Sequence, residues 1–119
     1  MSGPNRLTGS SGPSTEACKL GPVDRVPPGE GKAFEIGGRR VAVFRTRGGE
    51  LYATQAVCPH KGGPLADGVV GGGTVICPLH AYKYDLKSGQ PLGNGCPALQ
   101  TYRLELGAEG EMLLFTEPA

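Results

Sequence analysis

An all-β fold, a small antiparallel sandwich or open barrel with a loop-rich insertion, is predicted by three features of the sequence. Apolar residues recur with a period of two from Lys32 onward. Glycine pairs and charged turns, rather than helix caps, separate the runs. The 21 glycines and 11 prolines among 119 residues leave little room for a long helix. Residues 33–36 and 40–44 flank Gly37-Gly38-Arg39, and a glycine pair between alternating runs marks a hairpin because glycine reaches positive φ without strain. Arg47-Gly48-Gly49 repeats the device before residues 50–54, which predicts a three-stranded meander. Pro59, Gly62, Gly63, Pro64, Gly68 and Gly71 to Gly73 then break the pattern, leaving loops joined by one brief strand at 74–76. Residues 82–86 followed by Ser88-Gly89 read as strand and turn, and residues 101–106 and 112–116 as a last hairpin across residues 107–110.

Hydrophobic residues at 38% suffice for one modest core and no second domain. Twelve Lys and Arg against eleven Asp and Glu leave a net charge of +1, which supplies no field for nucleic acid or an anionic membrane. The longest apolar runs, 41–44 and 112–115, are far shorter than the ~20 residues of a spanning helix. Residues 1–17, rich in Ser, Gly and Pro, are expected to form a flexible tail; they lack the apolar core of a signal peptide, which implies a cytoplasmic protein. Four cysteines in that compartment argue against a disulfide framework. The charges of Arg39, Arg40, Arg45 and Arg47 predict the wet face of a hairpin.

Both histidines sit beside a cysteine, in Cys58-Pro59-His60 and in Cys77-Pro78-Leu79-His80. Thiolate and imidazole together select zinc, copper or iron-sulfur iron over oxygen-loving cations. Zinc fingers group two cysteines in one short element and two histidines in another, whereas each loop here offers one of each. Two mixed loops facing each other could place both thiolates on one iron and both imidazoles on a second, the ligation of a Rieske 2Fe-2S centre. A structural zinc module without redox role is the alternative, and buried cysteines with hydrogen-bonded loop histidines are the plainest one.

The motifs C-P-H-K-G-G-P-L and C-P-L-H-A-Y-K-Y-D, separated by residues 61–76, resemble the two cluster-binding loops of the Rieske family. The resemblance runs from Lys19 to the C-terminal hairpin, and Asn94-Gly95-Cys96-Pro97-Ala98 stands where the family has a third, proline-bearing loop beside the cluster. It implies a single Rieske-type antiparallel domain over 18–119, with a small loop-rich cluster-binding subdomain at about 57–86 and Cys58, His60, Cys77 and His80 as ligands. In such a centre two thiolates, rather than four, lower the cost of adding an electron and place the potential at roughly −150 to +300 mV. High-potential members add a cysteine after each ligand loop, forming a disulfide, and a serine and a tyrosine that donate to sulfurs. Here Gly63 and Leu79 occupy the disulfide positions and Tyr82 the serine position, while Tyr84 stands at the tyrosine. A low-potential centre is expected, with a value below about +150 mV, and quinol oxidation is disfavoured.

Low-potential Rieske domains of this size include ferredoxins of ring-hydroxylating or related oxygenases and small subunits of cytoplasmic NAD(P)H-dependent nitrite reductases. Residues 58–68, 85–89 and 95–102 resemble the nitrite reductase small subunit more closely. The resemblance implies a large sirohaem-containing partner subunit, or an oxygenase and a flavin reductase in the alternative, and no catalytic pocket on this chain. The glycines at 71–73 precede a strand rather than open a helix, so they are no dinucleotide fingerprint. Cys96 is read as a packed thiol or a shield for the cluster, Lys61 as a docking charge or a solvated lysine, and Tyr84 as a sulfur donor or a core aromatic. Pro97 belongs to the third loop, and Cys18 is expected to be incidental near the flexible terminus. Each imidazole should leave one N–H outward at a tip, from which electrons depart.

Overall fold

The computed structural model describes residues 17–59, 63–79 and 81–115. Its strands are β1 (Ala17–Pro22), β2 (Glu30–Ile36), β3 (Arg39–Arg45), β4 (Leu51–Gln55), β5 (Val69–Gly71), β6 (Thr74–Ile76), β7 (Lys83–Asp85), β8 (Pro91–Leu92), β9 (Thr101–Leu106) and β10 (Glu111–Phe115). Among the described residues the only helical pieces are 3-10 turns at Val23–Arg25 and Leu65–Asp67. The pairings are antiparallel, in a six-stranded sheet of order β1-β10-β9-β4-β3-β2 and a four-stranded sheet of order β5-β6-β7-β8. The all-β expectation, the meander and the last hairpin stand.

The β2–β3 hairpin pairs Ile36 with Arg39, so only Gly37 and Gly38 form the turn, at φ +55° and +81°. Two consecutive positive φ values match the right-handed twist of the flanking strands. Arg39 thus belongs to β3, not to the turn.

One core was expected, and there are two. Leu20 of β1 and Phe34 of β2 come from opposite edges of the large sheet yet share a cluster with Val26, Val41, Val43, Ala53, Met112 and Leu114. The sheet therefore curls until its edges close over one interior. The second cluster lies between the outer face of β3 and the small sheet: Ala42 and Phe44 meet Val70, Val75, Tyr84, Leu86, Leu65, Leu99, Cys58 and Cys77. Val41 through Phe44 are fully buried because β3 is covered on both faces. A strand buried on both faces reads as a continuous apolar run rather than an alternation.

Two further readings are corrected. Arg45 is not on a wet face. Its guanidinium Nη1 donates to the carbonyls of Val23, at 3.5 Å, and Val26, at 3.1 Å, and its side chain is only 21% exposed. It ties the 3-10 turn at Val23–Arg25 to β3, and that turn is also held by Arg25 over the Phe34 ring at 5.1 Å. Cys18 lies in β1, opposite Leu114 of β10 and half-buried against the inner core, rather than in a loose end. The predicted tail up to Glu16 lies outside the described residues.

Candidate metal centre

The two Cys-Pro loops share a closure. The Cys58 N–H donates to the Gly63 carbonyl at 2.8 Å, and the Cys77 N–H donates to the Tyr82 carbonyl at 2.7 Å. Each ligand candidate thus bonds to the residue five positions onward, drawing its loop into a tight return. Around the first loop, Val57 bridges Pro64 and the Leu65 N–H donates to the Ala56 carbonyl at 3.0 Å. The second loop turns on Ala81, at φ +57°, a left-handed conformation that costs a residue with a Cβ roughly 1–2 kcal/mol. Strain of this kind persists where surrounding contacts over-determine the backbone.

Both thiols are buried, at 1% exposure each, and lie close enough to interact directly. Burial pushes the Cys77 thiol up, the Leu79 N–H acts the other way, and the neighbouring Cys58 adds to the rise. Two apposed thiols buried in an apolar core form a soft donor pair for which a cationic metal core would supply the counter-charge. Tyr84 is wholly buried in β7, and its hydroxyl lies 3.2 Å from Cys58 Sγ. Desolvation, then the neighbouring thiols, push its phenol well above the ordinary range, so it stays protonated as a donor.

Gly63 stands against the second loop. A Cβ there would lie 3.0 Å from Cys77 Sγ and 3.1 Å from Leu79 Cγ. The two positions expected to replace a disulfide are therefore face to face, one without a side chain and the other filling the space with an apolar one. Tyr82 is half-buried on the core of the small sheet, and Cys96 packs against the same core. Pro97 is exposed. His60, Lys61 and His80 lie outside the described residues. Gly72 and Gly73, at φ +59° and +78°, turn β5 into β6.

The sequence reading placed Asn94 in the third loop but gave it no role. Its Nδ2 donates to the Lys83 carbonyl at 3.2 Å and its Oδ1 accepts from the Cys96 N–H at 3.0 Å, which staples the third loop to β7. Asn before Gly is a turn signal, and an Asn side chain that hydrogen-bonds two residues onward is its physical content.

The Rieske [2Fe-2S] domain model matches residues 16–103. The chain belongs to the Rieske family. Its cofactor is a Rieske-type 2Fe-2S cluster, and the buried pair of thiols with a phenol donor fits such a group. The Rieske fold is also shared with the ferredoxin of carbazole 1,9a-dioxygenase from Nocardioides aromaticivorans: TM-score 0.78, 26% identity, 87% of this chain and 100% of that one. A protein assigned as the NADH-dependent nitrite reductase small subunit of Mycobacterium tuberculosis superposes with TM-score 0.79 at 25% identity, covering 87% and 96%. The anthranilate 1,2-dioxygenase ferredoxin subunit of Burkholderia cepacia is 39% identical over 72 residues, 60% of this chain and 66% of its own length. The chain spans between 16% and 66% of the first curated relatives that it matches. This Rieske protein is thus an electron-transfer domain, of a kind found beside oxygenase and reductase components. No helix among the described residues is long and apolar enough to cross a membrane.

Proposed function

We propose that Cys58 and Cys77, with His60 and His80, hold the cluster, and that the chain is a low-potential, one-electron carrier serving as the small subunit of a cytoplasmic NAD(P)H-dependent nitrite reductase. The observation that carries the ligand set is the apposition of two buried thiols in two loops closed by the same backbone bond. When bound, the cluster supplies one-electron chemistry near neutral formal charge. The chain's own part is to exclude water from the sulfur side, to aim the Tyr84 hydroxyl at Cys58 and to keep the loops returned. Residues 18–119 form the domain, with its cluster-binding subdomain at about 57–86, and the first strand reaches one residue further back, to Ala17. Gly63 and Leu79, in the disulfide positions, support the low potential.

Support for a sirohaem-bearing large subunit as partner comes from residues 95–102 and from the likeness to the mycobacterial small subunit. Nitrite reduction takes place on that partner, and this chain delivers electrons to it. The ferredoxin reading, with an oxygenase and a flavin reductase as partners, is favoured by the identity with the anthranilate dioxygenase ferredoxin.

Anaerobically purified protein should carry about two irons and two acid-labile sulfides per chain and a midpoint potential below about +150 mV in a dye-mediated titration. A higher value would count against the low-potential reading. Stopped-flow oxidation of the reduced chain by a sirohaem reductase large subunit, against the same measurement with a Rieske oxygenase, decides between the partners: transfer only to the oxygenase replaces the first reading with the second.

A further inference from the structure

Gly63 is a glycine for the sake of its neighbours. Its φ lies outside the left-handed region, so the backbone does not by itself call for glycine. Space does: a Cβ there would stand 3.0 Å from Cys77 Sγ and 3.1 Å from both Cγ and Cδ1 of Leu79. Contacts that short force a packed neighbour to move. The leucine side chain and the cysteine sulfur therefore meet the same side of one residue. That residue is fixed in turn, because the Gly63 carbonyl accepts from the Cys58 N–H at 2.8 Å. Leu79 thus reaches from the second loop to a surface that belongs to the first. Leu79 is 40% exposed, whereas Gly63 is buried and Cys77 is 1% exposed. An apolar side chain that is wet on one flank and seated on the other against a buried glycine, beside a buried sulfur, is a boundary between water and that sulfur.

We propose that Leu79 is a positioning residue for electron transfer: seated on Gly63, it keeps water from Cys77 Sγ and so holds the potential of the cluster down. Uptake of one electron makes and breaks no bond, but it leaves more negative charge on the ligand sulfur. Water donating to that sulfur would stabilise the reduced state, and an apolar group in its place does not. The inference rests on the reading of Cys77 as a ligand, and iron and sulfide content of the wild-type chain tests that reading separately. A wild type without cluster defeats the ligand reading; a loaded wild type beside a loaded Leu79 variant of equal potential defeats only the seal.

The experiment compares the purified, cluster-loaded wild type with Leu79→Ala, Leu79→Met and Leu79→Asn. Midpoint potentials come from dye-mediated titration, and water near the reduced cluster is read from deuteron coupling in pulsed electron paramagnetic resonance after exchange into heavy water. Leu79→Ala is expected to raise the equilibrium constant for one-electron reduction about three- to tenfold, a shift of roughly 30–60 mV to more positive values, and to strengthen the deuteron coupling. Leu79→Met keeps an apolar group of similar volume and should stay within about twofold of wild type. Leu79→Asn, of similar size but polar, should shift the potential in the same direction as Leu79→Ala. An unchanged or lower potential in Leu79→Ala, or an equal shift in Leu79→Met, overturns the proposal, because packing alone would lower stability and leave potential and deuteron coupling where they are. Should Leu79→Ala fail to retain iron, the asparagine variant carries the test, and a potential at or below wild type there overturns it as well. Loss of iron from both variants would assign Leu79 to holding the loops and overturn it too.

Discussion

The two sheets of this molecule are held by different chemistry. The large sheet has strands of five to seven residues curled around aliphatic and aromatic side chains, with Met112, Leu114, Val41 and Val43 wholly buried. Its stability comes from apolar area removed from water, and it has no cofactor to wait for. The small sheet has strands of two or three residues, and its core includes two thiols and a phenol. So few apolar residues on such short strands supply little independent stability. What the difference teaches is a division of labour: the large sheet makes a platform, and under the proposed ligand set the small one is completed by the cluster.

Cluster removal should separate the two most sharply. Cys58→Ala or Cys77→Ala is expected to abolish iron binding, leave the far-ultraviolet signature of the large sheet, and open amides of β5 to β8 to hydrogen exchange while those of β3 and β10 stay protected. Loss of protection across β3 and β10 as well would show one cooperative unit in place of two.

Cavity mutants sharpen the same contrast. Phe44 projects from β3 into the small-sheet core and Met112 from β10 into the inner one. Phe44→Ala should cost about 3–5 kcal/mol and Met112→Ala about 2–5 kcal/mol in chemical unfolding. The distinguishing readout is iron: occupancy should fall in Phe44→Ala and hold in Met112→Ala at a temperature where both remain folded.

The platform was legible where the signal was local. The glycine pair at 37–38 announced a hairpin, and charge and glycine placed the other two turns of the meander and the last hairpin. Strand β1 was not legible, because Ala17–Pro22 contains Gly21 and Pro22, buries fully only Leu20, and gains its status from pairing with β10 at the far end of the chain. The second core was signalled by the unbroken run Val41-Ala42-Val43-Phe44, which measures burial on both faces and not only length. In the site, residue type and spacing brought Cys58 and Cys77 to notice at once. The resemblance put Gly63 and Leu79 at the disulfide positions, and the structure sets the Leu79 side chain against Gly63. The Asn94 staple and the packing of Cys96 on the small-sheet core depend on how the 94–98 loop is tied back to β7, which spacing does not encode.

Arg45 tests how the platform is closed. Its two carbonyl bonds tie the Val23–Arg25 turn to β3, while its ion pair with Asp24, at 3.9 Å and 90% exposed on the acid's side, adds little. Arg45→Met should cost about 2–3 kcal/mol, since hydrogen bonds from a charged donor are worth about 1.5–3 kcal/mol and one of these is long. Asp24→Asn should be nearly silent, within roughly 0.5 kcal/mol. Iron content should be normal in both, because the clamp lies on the inner core and not on the small sheet.

The smallest effect belongs to the turn that follows β7. Asp85 Oδ2 accepts from the Ser88 N–H and from the Ser88 hydroxyl, each at 2.8 Å, and these bonds hold its carboxyl below the usual carboxylate range. A carboxylate whose folded pKa is depressed contributes its stability in full above its unfolded value, near 3.8, and loses it as the pH falls through the folded value. Asp85→Asn should therefore cost about 0.5–1.5 kcal/mol at pH 7 and approach nothing in strong acid, because the wild-type carboxyl is then neutral too. Urea unfolding of the pair across that interval checks the sign: a penalty that grows toward low pH would mean that another group, and not the Asp85 carboxylate, fastens the turn beneath Tyr84.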